Sequence, residues 1–321
     1  MGNFENLTTE LKNKCILITG GSGFFGKNLC SALVTLNISK KLGMKIYALA
    51  RTDVSLEGVQ FIRHDVTQPF NFQGPIDFII HAATPVISEE NNIDMIMDII
   101  VNGTQHTLNF AERINCSKFL LVSSGAVYGE QPEDLKKIPE DYTIKESFYN
   151  FKSAYSTGKR ISELLALDWS KRTGKHLTIA RCFAFSGKFL PIDQHLAIGN
   201  FVRDAIKEHV INVKGDGCAI RSYLDAEDLV IWLLTILIKG ESGEAYNVGS
   251  DQEITIKELA LKIAEKVPGT HVVIQDNESS KKKRNRYIPS IEKAKFKLKL
   301  EVKINLGSSI QKMIDFNKGL I

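Results

Sequence analysis

Three side chains in the sequence could together perform acid–base chemistry on a hydroxyl group. Tyr155 and Lys159 are four residues apart, and residues at that spacing share one face of a helix. An ammonium group beside a phenol favours the phenolate, so Tyr155 is a candidate general acid or base for an alcohol or sugar hydroxyl. A tyrosine and a lysine at this spacing also occur as exposed pairs. Ser124 favours the catalytic interpretation, because it ends a predicted strand at the edge where open α/β sheets bind ligands.

A glycine-rich turn lies upstream of these residues, between a predicted strand and a predicted helix. Residues 19–26 read Thr-Gly-Gly-Ser-Gly-Phe-Phe-Gly. Glycine permits a tight turn and lets backbone N–H groups approach a pyrophosphate at a helix N-terminus, where the helix dipole favours negative charge. An ordinary glycine-rich loop is the alternative, but the position directly after the first strand favours dinucleotide binding. The cofactor contacts predicted from this turn are Gly20, Gly23, Phe24, Phe25 and Gly26.

The end of the second predicted strand bears on the choice of cofactor. An acidic residue at this point binds the ribose hydroxyls of NAD, whereas an arginine suits the 2′-phosphate of NADP. The strand ends with Ala50 and is followed by Arg51, whose planar guanidinium matches a phosphate. NADP is therefore favoured, although an arginine stacked on the adenine would suit either cofactor. Asp65 and Val66, after another short apolar segment, are predicted to meet the adenine, with a plain loop aspartate as the alternative.

Short apolar runs alternate with helix-length segments through the first part of the chain. The predicted strands are 15–19, 45–50, 78–81, 119–123 and 177–181, and a long amphipathic helix is predicted over 154–173. This alternation indicates βαβ units and a doubly wound parallel sheet, an α/β fold. After about residue 185 the rhythm breaks into shorter elements, with helices predicted over 229–238, 256–266 and 306–316. These predict a smaller C-terminal lobe that shares a cleft with the sheet.

Length and composition place the chain among ordinary globular proteins. It has 321 residues, of which 43% are hydrophobic and 24% charged, which excludes wholesale disorder and fibrous structure. The net charge of +4 is too small to indicate nucleic-acid binding, and the basic run 281–284 is interpreted as a solvated loop. Five scattered cysteines form no CxxC pair, so neither disulfides nor a metal site is expected. The polar N-terminus and the short apolar runs favour a cytoplasmic protein without a membrane span.

Together these motifs resemble the extended short-chain dehydrogenase/reductases, and within them the nucleotide-sugar epimerase/dehydratase branch. The segments that carry the resemblance are GGSGFFG (20–26), DV (65–66), HAAT (81–84), SSGAVYG (123–129) and YSTGK (155–159). The resemblance covers nearly the whole chain. It implies a Rossmann domain of about seven strands over residues 1–185 and a substrate-binding lobe over 186–321, with residues near 218–240 returning to the first domain. It also implies a nucleotide-diphosphate-sugar substrate and a homodimer formed through a helix pair.

The resemblance also assigns roles to individual residues. Ser124, Tyr155 and Lys159 become the catalytic group, and Tyr155 and Lys159 also contact the cofactor. Two arginines are expected to clamp the substrate diphosphate, because bidentate Arg–phosphate pairs are strong, although either alone could be an ordinary surface residue. The further cofactor residues implied are Ala82, Ala83, Asn102 and Phe183. The substrate residues implied are Thr84, Ser124, Gly125, Ala126, Asn200, Phe201, Arg221 and Arg286.

Departures from the family pattern narrow the chemistry. The 4,6-dehydratases and decarboxylases of this branch carry acidic or polar groups directly after the catalytic serine or threonine, where this chain has Gly125 and Ala126. Neither side chain can transfer a proton, so elimination across C5–C6 lacks its expected base. Ala184 and Lys188 replace the asparagine and proline of a segment that usually touches the sugar nucleotide, which leaves the sugar-binding geometry open.

The sequence thus predicts an NAD(P)-dependent oxidoreductase or epimerase that transfers a hydride at one carbinol carbon, C4, of a nucleotide-diphosphate sugar. A 4,6-dehydratase or decarboxylase is the alternative within the family. A non-catalytic NADP(H)-binding sensor or scaffold and a reductase of non-sugar carbonyls are the alternatives outside it. The nucleotide base, the sugar and the direction of the reaction stay open.

Overall fold

The structure is a computed structural model that describes residues 5–52, 54–85, 92–143, 153–194, 196–275 and 285–320. Its strands are β1 (Cys15–Thr19), β2 (Lys45–Ala50), β3 (Val59–Arg63), β4 (Phe78–His81), β5 (Lys118–Ser124), β6 (His176–Cys182), β7 (Phe185–Ser186), β8 (Val210–Lys214), β9 (Ile220–Arg221), β10 (Leu224–Asp225), β11 (Glu244–Val248), β12 (Ile254–Thr255), β13 (His271–Gln275) and β14 (Arg286–Tyr287). Its helices are α1 (Glu5–Leu11), α2 (Phe24–Lys40), α3 (Ile93–Met97), α4 (Gly103–Arg113), α5 (Ala154–Thr173), α6 (Ala197–Lys207), α7 (Ala226–Lys239), α8 (Ile256–Ala264), α9 (Glu292–Leu298) and α10 (Leu306–Lys318). A π-helical turn, Asp98–Asn102, joins α3 to α4.

Seven parallel strands form the central sheet in the order β3-β2-β1-β4-β5-β6-β11. The order reverses between β1 and β4, so the carboxyl ends of these strands open a crevice at the point where doubly wound sheets bind dinucleotides. The predicted fold class is confirmed. Strands such as β1, whose five residues are all buried, are continuous apolar runs because both faces of a parallel sheet are covered by helices.

The two faces of the sheet carry separate hydrophobic cores. Helices α2 and α7 lie over one core, which contains Leu29 and Trp232. Helices α4 and α5 lie over the other, where Leu108 and Trp169 pack among the outward residues of β5 and β6. Helix α5 spans the predicted range, and its placement against β5 sets where Tyr155 and Lys159 lie.

The smaller lobe is built on a third core. Helices α6, α8 and α10 pack around Val202, Leu259 and Met313, beside the parallel pair β8–β13. Helix α8 begins at a capping box in which Thr255 and Glu258 satisfy each other's backbone N–H groups. Strand β9 pairs with β12 on one side and with β14 on the other. This small ladder carries both predicted diphosphate arginines.

Three further observations concern membrane spanning, disulfide bonds and metal binding. Within the described ranges, no helix is long and apolar enough to cross a membrane. The five cysteines are free thiols, and four of them are buried. The described residues hold no group of three or more His, Cys, Asp or Glu side chains placed to share a metal ion. The basic run 281–284 lies outside the described residues.

Candidate active site

The glycine turn packs its backbone tightly against itself and against the end of β4. Gly20 has a φ of +74°, and a Cβ there would lie 2.9 Å from the carbonyl oxygen of Ala82. A Cβ on Gly26 would lie 2.3 Å from the carbonyl oxygen of Gly20, so both positions require glycine. Gly23 caps α2 and is exposed, and no side chain caps the helix. The N–H groups of the first turn of α2 are thus open to an anion, which fits the pyrophosphate of a dinucleotide.

Two predicted cofactor contacts in this turn pack away from the glycines. The rings of Phe24 and Phe25 both meet Phe185, with centroids 6.2 and 5.4 Å apart respectively. Their side chains therefore join the sheet to the small lobe. Any contact that these two residues make with a pyrophosphate comes from their backbone N–H groups.

The edge formed by β2 and β3 holds the residues predicted to meet the adenosine. Arg51 follows β2 directly and is exposed. The Asp65 carboxylate accepts a hydrogen bond from the backbone N–H of Thr67 at 3.0 Å, which fixes the turn after β3. Val66 is buried with Ala83 and Ile99 in a small apolar cluster. This cluster is an apolar wall that suits the flat face of a base.

His81 organises the end of β4 through hydrogen bonds. Its Nδ1 lies 2.8 Å from Oγ1 of Thr19, and the same Oγ1 accepts hydrogen bonds from the backbone N–H groups of Ala82 and Ala83, each at 3.2 Å. Burial, with a smaller contribution from the Lys159 charge, lowers the pKa of His81 to about 3. The histidine is therefore neutral at physiological pH, and its hydrogen bond to Thr19 joins β4 to β1.

Ser124 ends β5 at the crevice. Its Oγ accepts a hydrogen bond from the backbone N–H of Ala126 at 3.2 Å, so the side chain caps the 3₁₀ turn Gly125–Tyr128 that follows. Ser124 is 9% exposed. This local hydrogen bond holds the hydroxyl at the carboxyl edge of the sheet, where a ligand can reach it.

Lys159 joins Tyr155 to the same edge. Tyr155 lies in the first turn of α5 and is partly buried. Lys159 lies one turn later and is 4% exposed. Its Nζ donates to the carbonyl oxygen of Val122 at 3.0 Å and lies 5.9 Å from the centroid of the Tyr155 ring. Since an ammonium has three N–H donors, this geometry leaves donors for hydroxyl groups of a bound cofactor.

A buried ion pair links helix α5, which carries Tyr155 and Lys159, to the neighbouring strand β6. Arg181 on β6 binds Glu163 of α5, with Nη2–Oε2 at 2.8 Å and Nε–Oε1 at 3.1 Å. Ser123, next to the catalytic serine, donates to Glu163 at 2.5 Å. Burial opposes the charge on Arg181, but the hydrogen bond and the charge of Glu163 raise the pKa of the guanidinium overall. The sequence interpretation missed Glu163, although it lies four residues after Lys159 and so on the same helix face.

Tyr287 is a second site residue that sequence reasoning missed. Its hydroxyl oxygen lies 2.6 Å from the position that a Cβ on Gly125 would take. Burial raises the pKa of the Tyr287 phenol, and the Ser124 hydroxyl offsets part of that rise. The Tyr287 ring stacks on Phe183, a predicted cofactor contact, with centroids 4.7 Å apart. The small lobe therefore places a phenol over Gly125, the residue that follows the catalytic serine.

The two predicted diphosphate arginines do not share a face. In the parallel register of β9 and β14, Tyr287 lies opposite Arg221, and Arg286 lies opposite Ile220. Partners in register point to the same side of a ladder, so Arg221 shares its side with Tyr287. Arg286 forms an ion pair with Glu253. Burial lowers the pKa of the Arg221 guanidinium. Arg221 is thus the predicted arginine that shares its side of the ladder with Tyr287.

The remaining predicted contacts lie at several depths around the crevice. Thr84 is exposed just after β4. Asn102 is exposed in the π-helical turn, and its amide donates to Asp98 at 2.8 Å. Asn200 is partly buried and accepts from Arg203. Phe201 is 5% exposed and belongs to the small-lobe core, so its ring stabilises the lobe.

This crevice defines an enzyme that works through a nicotinamide cofactor. Comparisons with known proteins give the family to which the chain belongs. The model of the NAD dependent epimerase/dehydratase family matches residues 16–249. UDP-glucuronic acid decarboxylase 1 of Arabidopsis thaliana is 30% identical over 314 residues, which cover 95% of this chain and 70% of that protein. This chain therefore belongs to the NAD-dependent epimerase/dehydratase family.

Two solved structures illustrate the shared fold. DesIV, a dTDP-glucose 4,6-dehydratase from Streptomyces venezuelae with NAD and TYD bound, superimposes with a TM-score of 0.80 at 20% identity, over 95% of this chain and 97% of that one. RMD from Pseudomonas aeruginosa, complexed with NADPH, superimposes with a TM-score of 0.79 at 22% identity, over 96% and 100% of the two chains. The predicted family resemblance is confirmed.

Proposed function

We propose that this protein exchanges a hydride at C4 of a nucleotide-diphosphate sugar, with Tyr155 as the acid and base. The observation that carries the proposal is the buried Lys159, whose Nζ is held by the Val122 carbonyl beside the Tyr155 ring. Burying an ammonium group costs free energy unless hydrogen bonds or opposite charges compensate it. The position of Lys159 beside a tyrosine and near a strand-end serine therefore favours a catalytic role for it.

Each residue of the group then has one step. The hydroxyl proton on the C4 oxygen passes to Tyr155 as a hydride leaves C4 and the carbonyl forms. Ser124 donates a hydrogen bond to that oxygen, and Lys159 favours the phenolate and binds ribose hydroxyls. A bound nicotinamide supplies the acceptor for the hydride and later its donor. Return of the hydride to the opposite face gives a 4-epimer, while return to the same face restores the substrate.

Decarboxylation is the second candidate, and the 30% identity to a UDP-glucuronic acid decarboxylase over 95% of this chain favours it. Once C4 is a ketone, a carboxylate on C5 is a β-keto acid and can lose CO₂. This loss needs no acidic side chain at Gly125 or Ala126. A 4,6-dehydratase does need a base to remove a proton from C5, and these two residues supply none.

The products from a small panel of sugars test the proposal. The protein would be incubated with UDP-glucuronate, UDP-glucose and dTDP-glucose, and the products separated by chromatography with mass detection. A product of unchanged mass indicates epimerisation, and loss of CO₂ indicates decarboxylation. Tyr155→Phe should remove most activity and keep cofactor binding, whereas Tyr142→Phe, which changes a partly buried tyrosine outside the catalytic group, should change neither. Full activity of Tyr155→Phe would contradict the assignment.

The cofactor is NAD or NADP, with Arg51 supporting NADP. Denaturing the purified protein and identifying any released nucleotide by mass separates two modes of action. Stoichiometric NAD would support a cofactor-retaining epimerase and contradict the role given to Arg51. An empty protein that binds NADPH more tightly than NADH would support a reductase that releases its cofactor each turn.

Alternatives outside nucleotide-sugar chemistry make different binding predictions. A sensor or scaffold would bind NADP(H) but no sugar nucleotide, and a reductase of other carbonyls would not need Arg221. Calorimetry with UDP tests this directly, since Arg221 is the predicted diphosphate contact.

We also infer a homodimer, because α5 exposes Leu164 and Leu167 one turn apart on a helix of the kind through which the family pairs. Sedimentation should show twice the chain mass and a monomer after Leu164→Glu.

A further inference from the structure

The strand that carries Tyr287 continues past its short ladder and pairs with a residue of the larger domain. We call residues 286–290 the β14 segment. The backbone N–H of Ile138 donates to the carbonyl oxygen of Ile288 at 2.9 Å, and its carbonyl oxygen accepts from the N–H of Ser290 at 2.8 Å. Ile138 and Ile288 are both fully buried. The β14 segment is therefore fixed on two sides, by β9 and by Ile138.

Two buried side-chain amides also hold this segment. Gln131 is 6% exposed, and its Oε1 accepts from the backbone N–H of Ile288 at 2.9 Å. Asn247 lies on β11 and is fully buried. Its Nδ2 donates to the carbonyl oxygens of Ser290 at 3.0 Å and of Ile138 at 2.9 Å. Side chains that lie outside the small ladder thus anchor the β14 segment at both Ile288 and Ser290.

The partners of the Asn247 amide fix its orientation. A backbone carbonyl oxygen can only accept hydrogen bonds, so the NH₂ group of the amide must face the two carbonyls. The amide oxygen accepts from the Tyr128 hydroxyl at 2.9 Å, and that hydroxyl accepts from Nη1 of Arg181 at 2.9 Å. Arg181 in turn pairs with Glu163 of α5. A continuous chain of hydrogen bonds therefore runs from the catalytic helix to the β14 segment.

We propose that Asn247 and Gln131 are positioning residues for the nucleotide sugar, because they hold the β14 segment against the catalytic edge. The proposal deepens the function proposed above and rests on it. The Tyr287 oxygen lies 2.6 Å from the position that a Cβ on Gly125 would take, and Tyr287 lies opposite Arg221 in register. A shift of the segment therefore moves the wall of the crevice beside the catalytic serine. Both amides act through the segment and not by touching the substrate.

An isosteric substitution removes only the contacts of Asn247 with the segment. Asn247→Asp keeps an acceptor for the Tyr128 hydroxyl but turns a carboxylate oxygen toward two carbonyl oxygens, which cannot donate to it. We expect KM for the nucleotide sugar to rise by about tenfold, the loss of one hydrogen bond. The kcat and the cofactor affinity should stay unchanged, a pattern that marks lost substrate binding. An unchanged KM, or an equal loss of cofactor affinity, would overturn the proposal.

A second variant tests the other anchor and serves also if Asn247→Asp does not fold. Gln131→Leu leaves the N–H of Ile288 without its acceptor, so KM for the nucleotide sugar should rise in the same way. Asn317→Asp is the matched control, since Asn317 is 5% exposed and its amide donates to the Met313 carbonyl within α10 at 2.8 Å. The control should lower the melting temperature and leave KM unchanged. An equal rise of KM in the control would overturn the proposal.

Hydrogen exchange followed by mass spectrometry tests the positioning without turnover. The N–H groups of Ile288 and Ser290 are hydrogen-bonded, so a peptide that covers the β14 segment should exchange slowly in the wild type. In both variants this peptide should exchange faster by about tenfold or more, while a peptide from α5 should not change. Unchanged exchange in both variants would overturn the proposal. Faster exchange in a protein that turns over no nucleotide sugar would contradict the proposed function instead.

Discussion

Glu163 and Arg181 form a bidentate ion pair directly behind the catalytic edge, with their side chains 8% and 18% exposed. The pair joins α5, which carries Tyr155 and Lys159, to β6. The hydrogen bond from Ser123 to Glu163 adds β5, which ends at Ser124. One carboxylate therefore joins β5 and α5, which carry the catalytic group, to the neighbouring strand β6.

Glu163→Gln should be strongly destabilising, because it leaves the Arg181 charge buried without its partner. We expect a loss of about 3–5 kcal/mol in the free energy of unfolding, measured by urea denaturation. The control is Glu112→Gln, whose carboxylate meets Arg172 at 3.5 Å with both side chains about half exposed. Its loss should stay below about 1 kcal/mol. Similar losses in both variants would show that the buried pair has no special role.

His81 should make the protein less stable in mild acid. Its pKa is lowered to about 3 in the folded protein, against about 6.5 when unfolded. Between these values the unfolded chain binds a proton that the folded protein does not, so stability is complete above the unfolded value and is lost as the pH falls. From about pH 7 to about pH 5 this contributes a loss of about 2 kcal/mol.

Urea denaturation of wild type and His81→Gln at both pH values measures this contribution. The variant should lose less stability than wild type over the same interval, because glutamine does not titrate. The Thr19 and Thr104 hydroxyls that contact the imidazole do not titrate either. The same loss in both proteins would assign the acid sensitivity to other groups.

Substitutions at two glycines of the turn should distinguish an effect on folding from an effect on cofactor binding. Gly26→Ala forces a Cβ to within 2.3 Å of the Gly20 carbonyl oxygen, so it should lower both the melting temperature and the affinity for NAD(P). A Cβ on Gly23 meets only that same oxygen, at 3.4 Å. Gly23→Ala should therefore leave the melting temperature unchanged and weaken cofactor binding by at least about tenfold, equal to 1.4 kcal/mol. Unweakened binding in Gly23→Ala would place the pyrophosphate elsewhere.

Substitution of Arg51 tests whether the protein prefers NADP to NAD. If its guanidinium binds the 2′-phosphate, Arg51→Ala should weaken NADPH binding by about tenfold or more. The affinity for NADH, which lacks that phosphate, should not change. Fluorescence titration of wild type and variant with both cofactors measures the four dissociation constants. An equal loss for both cofactors would indicate stacking on the adenine.

The sheet and the first half of the site could be predicted because they depend on local patterns. The run Cys15–Thr19 is apolar and β-branched, and the glycines after it have a steric requirement that the structure shows at Gly20 and Gly26. Tyr155 and Lys159 come together through helix periodicity alone. Each of these inferences needs only a few consecutive residues.

The second half of the site depends on register between distant segments. Tyr287 meets Gly125 only because β14 pairs with β9 in one particular alignment, and a shift by one residue would place Arg286 there instead. The two-residue strands of this ladder have no alternation from which that alignment could be predicted. The Phe201 ring lies in the small-lobe core, because an aromatic residue on an amphipathic helix is as well suited to a core as to contact with a base.

The most direct test of the account follows the hydrogen on C4. A nucleotide sugar carrying deuterium only at C4 would be mixed with the protein and one equivalent of oxidised cofactor, and the nicotinamide examined by mass spectrometry after a brief incubation. The account predicts deuterium on the nicotinamide with wild type and almost none with Tyr155→Phe. A converted sugar that has lost its C4 deuterium to the solvent, with none on the nicotinamide, would contradict hydride transfer at C4.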